Sequence, residues 1–170
     1  MGLHVLGSDL GEGSNVLQTA AGAMVTKAVY GAQCSLMVAT REAGYHSRPH
    51  RHMSEQINYV AEGDIWVFID DKAFLAKKGD FYRIPANAVH WGWNRSDGPV
   101  TTFQAFAPPL DPHTRKNSQS LLQESEPEPT EYHLTMRMDE EGQAPYISFE
   151  EEWFASLEES RHVNGAAGAR

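Results

Sequence analysis

The chain has 170 residues, of which 41% are hydrophobic and 22% charged, and its formal net charge is −9. This length holds one globular domain with an appendage, and the composition excludes disordered, collagen-like and membrane classes. The chain lacks the basic balance that displaces counterions from nucleic-acid phosphates. Nucleic acid and anionic membranes are therefore not expected as partners.

Two features of the sequence bear on the cellular compartment. Cys34 is the single cysteine, so no disulfide can form within the chain. Residues 1–6 lack the charged segment and apolar run of a signal peptide, and no apolar stretch approaches the roughly 18 residues of a spanning helix. We expect a soluble, cytoplasmic protein.

The first 110 residues divide into an arm and a series of strands. Residues 1–22 contain several glycines and no sustained period, which predicts a loose N-terminal arm. Short runs rich in β-branched and aromatic residues follow and predict strands at 24–30, 34–40, 56–60, 65–69, 81–84, 90–93 and 100–107. Strands at this spacing predict an all-β domain over residues 23–110, an antiparallel double-sheet sandwich or barrel.

Two hairpin turns are predicted between these strands, at residues 61–64 and 70–72. Gly63 and Asp70 are the reason, because glycine and aspartate tolerate the left-handed backbone of tight reversals. The prolines between residues 108 and 112 end the strand pattern, since proline cannot donate to a ladder.

Residues 111–170 form an acidic extension. Between residues 123 and 161, twelve acidic residues stand against two basic ones, so the net charge of the chain lies in this segment. Ser148-Phe149-Glu150-Glu151 resembles a capping box and predicts one short helix over about residues 149–162. Phe149, Trp153, Phe154 and Leu157 are spaced for one apolar face, which we expect to dock on the barrel or on a second subunit.

Four side chains are candidates for a metal site. His50 and His52 lie two residues apart, so a strand would point them into the same cavity, and Gln56 keeps that parity. His90 follows a proline turn before a later strand. Three imidazoles with a side-chain oxygen suit a borderline divalent first-row metal. His46 lies in the preceding turn and is expected to be structural.

These residues fall into two motifs that resemble those of the cupin superfamily. Gly44-x5-His50-x-His52-x3-Gln56-x6-Gly63 is similar to the first cupin motif, and Gly79-x5-Pro85-x-Asn87-x2-His90-x3-Asn94 to the second, with fifteen residues between the motifs. The resemblance covers roughly residues 24–108. It implies a jelly-roll barrel of the compact microbial type, with one Fe, Mn, Ni or Zn ion held by His50, His52, Gln56 and His90.

Two residues depart from the usual cupin pattern. Asn87 stands where glycine is usual, which is tolerable because asparagine also adopts positive φ. Gln56 stands where glutamate is usual, so all four ligands are neutral and the ion keeps its full charge. Such a site is a stronger Lewis acid, and it lacks the carboxylate that helps to stabilise a higher oxidation state. Non-redox chemistry is favoured.

The strand pattern also predicts what lines the pocket. Asn58, two residues after Gln56, is expected to face the cavity and to orient a substrate through its amide. The resemblance favours Tyr82 and Ile84 as inward residues of their strand, with Ile84 in contact with the substrate. Tyr82 is the candidate general acid or base, and simple packing of its ring is the alternative.

Trp91 and Trp93 are expected on the opposite face from His90, at a subunit contact or under the extension.

Our main hypothesis is a homodimeric, metal-dependent cupin enzyme acting on a small oxo-functionalised or aromatic molecule. The ion would stabilise an enolate or oxyanion, as in the lyase, isomerase and cyclase members of the family. One alternative is an iron dioxygenase that cleaves a chelating β-diketone or an oxygenated aromatic. The other is a binding cupin without catalysis, although residues 1–22 are too short for the helical DNA-binding domain that regulatory cupins append.

Overall fold

The computed structural model describes residues 3–11, 13–14, 22–110, 118–127, 129 and 135–167. Parts of the predicted arm (1–2, 12, 15–21) and of the predicted extension (111–117, 128, 130–134, 168–170) lie outside the described residues. Within the described ranges, no helix is long and apolar enough to cross a lipid bilayer.

The described elements agree closely with the predicted strands. In chain order they are β1 (Gly13–Ser14), β2 (Met24–Tyr30), β3 (Ser35–Arg41), β4 (His50–Arg51), β5 (Glu55–Glu62), β6 (Ile65–Ile69), β7 (Lys72–Ala76), β8 (Phe81–Ile84), β9 (His90–Trp93), β10 (Val100–Ala107), β11 (Ser118–Ser120), β12 (Met136–Arg137) and α1 (Glu140–Ala167). β2, β6, β8, β9 and β10 have the predicted bounds. The sequence missed β7, whose lysine and alanines have low strand propensity and which pairs with β6 along its whole length.

The strands form two sheets. The larger has the order β1-β2-β3-β10-β5-β8, with β11 parallel to β2, and the smaller has the order β12-β4-β9-β6-β7. All other pairings are antiparallel, and β3 pairs with the distant β10 as expected of a jelly roll. The predicted antiparallel double-sheet fold is confirmed, in the form of two facing sheets and not of one closed barrel.

The main core lies between the two sheets. Alternation along β6 turns Val67 inward and Trp66 and Phe68 outward. Residues of both sheets contribute to the inner cluster, which consists of Val60, Ile65, Val67, Ile69, Ala76, Ile84, Ala88 and Val100. This packing fixes the inner faces of β5, β8 and β9, from which the candidate site residues project.

Both predicted hairpin turns are present. Gly63, between β5 and β6, has φ 72°, and Asp70, between β6 and β7, has φ 51°. A Cβ added at Gly63 would lie 2.7 Å from the carbonyl oxygen of Pro99, so the backbone itself excludes a side chain there. Asn87 has φ 64°, as its replacement of the usual glycine predicted.

The helix is longer than predicted. It begins at Glu140, because Asp139 acts as its N-cap: the Asp139 Oδ1 accepts the N–H of Gly142, and its carbonyl accepts the N–H of Gln143. The predicted start at Ser148 is therefore wrong. Pro145 lies inside the helix.

α1 packs on the outer face of the smaller sheet through aromatic rings. The ring centroids of Phe154 and Trp66 lie 5.2 Å apart, and those of Tyr146 and Trp91 lie 5.7 Å apart. Phe149, Trp153 and Phe154 belong to the same cluster, as their spacing predicted. Docking of the helix on the sheet is confirmed, and Trp91 and Trp93 lie beneath it.

Glu150 links the helix to the smaller sheet by hydrogen bonds. It is buried, and its Oε2 accepts hydrogen bonds from Trp91 Nε1 and, at 3.0 Å, from His46 Nε2. The His46 ring also stacks on Trp93 at 4.4 Å. Glu150 and His46 therefore both belong to the helix contact.

Both predicted terminal segments contribute strands. β1 pairs with Val25 and Thr26 of β2, so part of the predicted loose arm joins the larger sheet. β11 joins the same sheet, and β12 pairs with β4 at the edge of the smaller sheet. The pairing of β12 supports the strand that carries His50.

Candidate functional site

Three histidines meet on the inner face of the smaller sheet, opposite the larger one. His50 of β4 pairs directly with His90 of β9, and His52 follows β4 by one residue. The ring centroid of His90 lies 4.3 Å from that of His50 and 4.7 Å from that of His52. The structure thus brings together two segments forty residues apart, as the two motifs predicted.

Each of the three rings is oriented by a backbone carbonyl two residues away. The Nδ1 atoms of His50, His52 and His90 contact the carbonyls of Arg48, Ser54 and Ala88 at 2.8, 2.9 and 3.0 Å. A carbonyl oxygen only accepts, so each Nδ1 carries the proton. In the neutral rings the Nε2 atoms are lone-pair donors, which is the tautomer that metal-ligating histidines adopt.

Gln56 connects this cluster to the larger sheet. Its Nε2 donates to Asn58 Oδ1 at 2.6 Å, which turns its Oε1 toward His52 Nε2 at 3.1 Å. In this orientation of the amide, both facing atoms are acceptors when the imidazole is neutral, so both can bind one cation.

Burial keeps His50 and His90 neutral. Removal from solvent lowers the pKa of His50 to about 4, against an ordinary value of 6.5, although its hydrogen bond to the Arg48 carbonyl opposes the shift. Burial and the neighbouring His50 hold the pKa of His90 well below the ordinary value. The imidazoles of His50 and His90 are therefore in the protonation state that a metal ion requires.

The predicted lining residues form a patch on the inner face of the larger sheet. Gln56 is paired with Ile84, and Asn58 with Tyr82, so these four side chains occupy adjacent positions of β5 and β8. Asn58 is fully buried and its Nδ2 has no hydrogen-bond partner. The Tyr82 ring packs against Phe74 at 5.8 Å, and burial raises the pKa of its phenol.

Three polar side chains of the same inner face were not predicted. Gln104, opposite Asn58 on β10, is buried and donates to the hydroxyl of Thr102. Arg41, at the end of β3, donates to the same hydroxyl from the other side. The signal was available in the inward parity of Arg41 with Ala39, a charged residue on the core face of a strand.

The donor set fits a divalent ion in its chemistry. Three neutral imidazoles and one amide oxygen lie together, and the Nδ2 of Asn58 is an unpartnered donor close to them. In the described part of the chain, no three histidine, cysteine, aspartate or glutamate side chains have the geometry of a metal site. Gln56 and the three histidines are therefore still predicted ligands and not observed ones.

The family of the chain follows from this fold and from a sequence match. Residues 37–106 match the model of the cupin domain family, and this range contains both motifs and all four predicted ligands. Residues 37–106 of the chain thus form a cupin domain. No curated protein sequence matches it.

Two solved structures share this fold. An RmlC-like cupin from Shewanella frigidimarina NCIMB 400 is 17% identical, with a TM-score of 0.52 over 61% of this chain and 88% of that one. The polyketide cyclase RemF from Streptomyces resistomycificus is 16% identical, with a TM-score of 0.55 over 63% of this chain and 80% of that one. At these identities the likeness establishes the fold alone.

Proposed function

We propose that the protein is a metal-dependent enzyme that holds one Fe, Mn, Ni or Zn ion through His50, His52, Gln56 and His90. The observation that supports this most is the arrangement of the acceptors. Backbone carbonyls fix the protons of all three imidazoles on Nδ1, and the amide oxygen of Gln56 faces His52 Nε2 at 3.1 Å. A buried group of acceptors is stabilised by a cation.

The neutral ligands favour a non-redox reaction. A divalent ion bound there would polarise a substrate carbonyl or enolate oxygen and stabilise the negative charge that develops on it. Because all four ligand side chains are neutral, the ion would keep its full positive charge and would attract an oxygen anion strongly. We infer a lyase, isomerase or cyclase reaction on a small oxo-functionalised or aromatic substrate.

Three side chains of the larger sheet act on the substrate in this proposal. Tyr82 supplies a proton from its phenol: burial alone raises the pKa of this group, and a cation bound beside it would lower that pKa again. Asn58 donates its unpartnered Nδ2 hydrogens to a substrate oxygen, which satisfies a buried donor. Ile84 contributes apolar contact beside Gln56.

The test begins with the metal content of protein purified without added metal. We expect about one transition-metal ion per chain in the wild type and a loss of metal in His50→Ala and His90→Ala. His4→Ala is the matched control, because His4 is exposed and lies outside the cluster. Equal metal content in all four proteins would contradict the proposed ligands.

The reaction class is tested after a thermal-shift screen of small keto acids, enolisable ketones and phenols, since bound ligands raise the apparent stability. A hit that is converted by the Zn-loaded protein, and more slowly by Tyr82→Phe, supports the proposal. Conversion that requires iron and consumes oxygen would instead support the dioxygenase alternative. Ligand binding without conversion on any metal would support the non-catalytic alternative.

The homodimer and the cytoplasmic location are also proposals. The outer face of the larger sheet supports the dimer, because it exposes several apolar side chains: Leu36, Val38, Ile57, Phe81 and Phe103. A single patch of this kind suits a two-fold interface, in which the same surface meets itself.

A further inference from the structure

Arg41 projects from the end of β3 into the space between the sheets. It shares its face of the strand with the buried Ala39, and its Nη1 donates at 2.8 Å to the hydroxyl of Thr102, which is fully buried. The guanidinium also lies 5.8 Å from the centre of the buried Tyr45 ring. These contacts place a positive charge on the inner face of the larger sheet.

This charge has no counter-ion in the described part of the protein. The chain contains 23 acidic residues, yet no described carboxylate forms an ion pair with Arg41. Among the described residues, its side chain makes one hydrogen bond, although a guanidinium carries five N–H donors. A half-buried arginine with unused donors and no carboxylate partner is costly for the fold unless a ligand uses them.

The guanidinium is close to the proposed reaction site. It shares the Thr102 hydroxyl with Gln104, which is opposite Asn58 in the sheet. Asn58 in turn accepts a hydrogen bond from the proposed ligand Gln56 and is paired with Tyr82. An anionic group held by Arg41 would therefore lie beside the proposed metal ligands and the proposed proton donor.

The backbone that carries Arg41 is held in place by the second motif. Asn94 donates from its Nδ2 to the carbonyls of Arg41, Glu42 and Gly98, at 3.2, 2.9 and 2.9 Å. The buried Asn94 side chain thus connects the end of β3 to the turn after β9. Together with the Thr102 hydroxyl it limits the freedom that Arg41 would lose on binding a ligand.

We propose that Arg41 binds an oxyanion of the substrate, a carboxylate or a phosphoryl group, and thereby selects anionic substrates. The proposal rests on the proposed function, because it places the oxyanion next to the reacting oxygen. Arginine suits this role since its planar N–H groups match the oxygens of carboxylates and phosphates. The substrate class is then an anionic oxo compound.

The experiment measures the binding of malonate and of inorganic phosphate by calorimetry, on metal-free and on metal-loaded protein. We expect one of the two anions to bind the wild type, and Arg41→Met to weaken that binding about 10- to 100-fold in the metal-free protein. Arg41→Lys keeps the charge without the planar donors, so its affinity for the anion should lie between those of the wild type and Arg41→Met. Preference for malonate identifies a carboxylate, and preference for phosphate a phosphoryl group.

Two further variants keep the outcome interpretable. Arg83→Met is the matched control: it removes the same charge from the exposed outer face, where Arg83 pairs with Glu55, and should leave anion binding unchanged. Arg41→Gln retains a donor for Thr102 and replaces Arg41→Met if that variant does not fold. Circular-dichroism melting curves establish folding for each variant.

The results separate this inference from the metal proposal. Metal content should be the same in Arg41→Met and in the wild type, because Arg41 is not a ligand. If neither anion binds the wild type, or if binding survives both Arg41→Met and Arg41→Gln, the inference is wrong whatever the metal content. If binding depends on Arg41 in a protein that takes up no metal, the metal proposal fails and the role of Arg41 stands.

Discussion

His52 Nε2 and Gln56 Oε1 face each other at 3.1 Å in the interior, although both are acceptors in the neutral side chains. The contact results from two neighbouring hydrogen bonds. His52 Nδ1 donates to the Ser54 carbonyl, and Gln56 Nε2 donates to Asn58. These two bonds use the Nδ1 proton of His52 and one amide proton of Gln56. The lone pairs of His52 Nε2 and Gln56 Oε1 are therefore directed at the same region.

This pair makes Gln56→Glu an informative substitution. A carboxylate adds a negative charge beside the proposed ion, so we expect the affinity for Zn²⁺ or Mn²⁺ to rise by about tenfold or more. The same charge reduces the Lewis acidity of the site, so a lyase or isomerase reaction should slow and a dioxygenase reaction should improve. Calorimetric titration of metal into the apoprotein measures the first effect.

Gln104→Glu is the control for this substitution. It buries a carboxylate on the same inner face, next to Thr102 and opposite Asn58, whereas Gln56 is opposite Phe106. Metal affinity that is the same in wild type and Gln56→Glu, or that rises equally in Gln104→Glu, would show that Gln56 does not contact the ion.

The stability of the metal-free protein should fall in mild acid. The pKa of His50 is about 4 in the folded protein and 6.5 in the unfolded chain, so the unfolded chain binds the proton first. His90 shifts in the same direction. The free energy of unfolding should therefore decrease as the pH falls from 6.5 to about 4, and level off below that range.

Urea unfolding at several pH values between 7.5 and 4 measures this slope. His50→Gln should flatten it, because the variant removes one of the groups that take up a proton on unfolding. His4→Gln, at an exposed histidine, should leave the slope unchanged. An unchanged slope in His50→Gln would contradict the assignment.

The sequence predicted the strands and the meeting of the three histidines because both depend on local patterns. Alternation placed β6 and β10 correctly, and the spacing of His50, His52 and His90 placed these histidines together through a family resemblance. Arg41 and Glu150 were missed for a different reason. Their roles depend on Thr102 and Trp91, which lie 61 and 59 residues away in the chain, and no local pattern encodes those contacts.

The helix start was missed because Gly142 and Pro145 usually oppose a helix interior. In the structure, tertiary packing compensates for these residues. Tyr146 contacts Trp91, and Asp139 caps the first turn. Propensity alone therefore placed the start at the next favourable cap, Ser148.

Glu150→Ala should loosen the helix from the smaller sheet. The substitution leaves the buried Trp91 Nε1 without an acceptor, which costs about 1–3 kcal/mol of stability. Glu151→Ala is the control, since Glu151 is exposed on the next position of the same helix; its effect should stay within about 0.5 kcal/mol. Urea unfolding measures both, and equal midpoints would contradict the bridging role of Glu150.

Gly63→Ala and Gly79→Ala should separate backbone strain from steric clash. Both glycines have positive φ, at 72° and 95°, so each substitution costs about 1–2 kcal/mol in strain. At Gly63 the new methyl group would also lie 2.7 Å from the Pro99 carbonyl oxygen, whereas at Gly79 nothing lies within 4 Å. We expect a clearly larger drop in melting temperature for Gly63→Ala. Equal drops would show that the turn relaxes away from Pro99.

The exposed outer face of the larger sheet leads to the last prediction. Phe81 is 73% exposed, and its ring contacts Tyr59, which in turn contacts Phe103, so the apolar surface is continuous across β8, β5 and β10. If this face joins two copies, Phe81→Asp should convert a dimer into a monomer by placing two charges in the interface. Light scattering coupled to size exclusion measures the mass.

Leu3→Asp is the control, because Leu3 is equally exposed at 74% but lies in the N-terminal segment outside both sheets. A monomeric wild type, or a Phe81→Asp variant that stays dimeric, would rule out this interface.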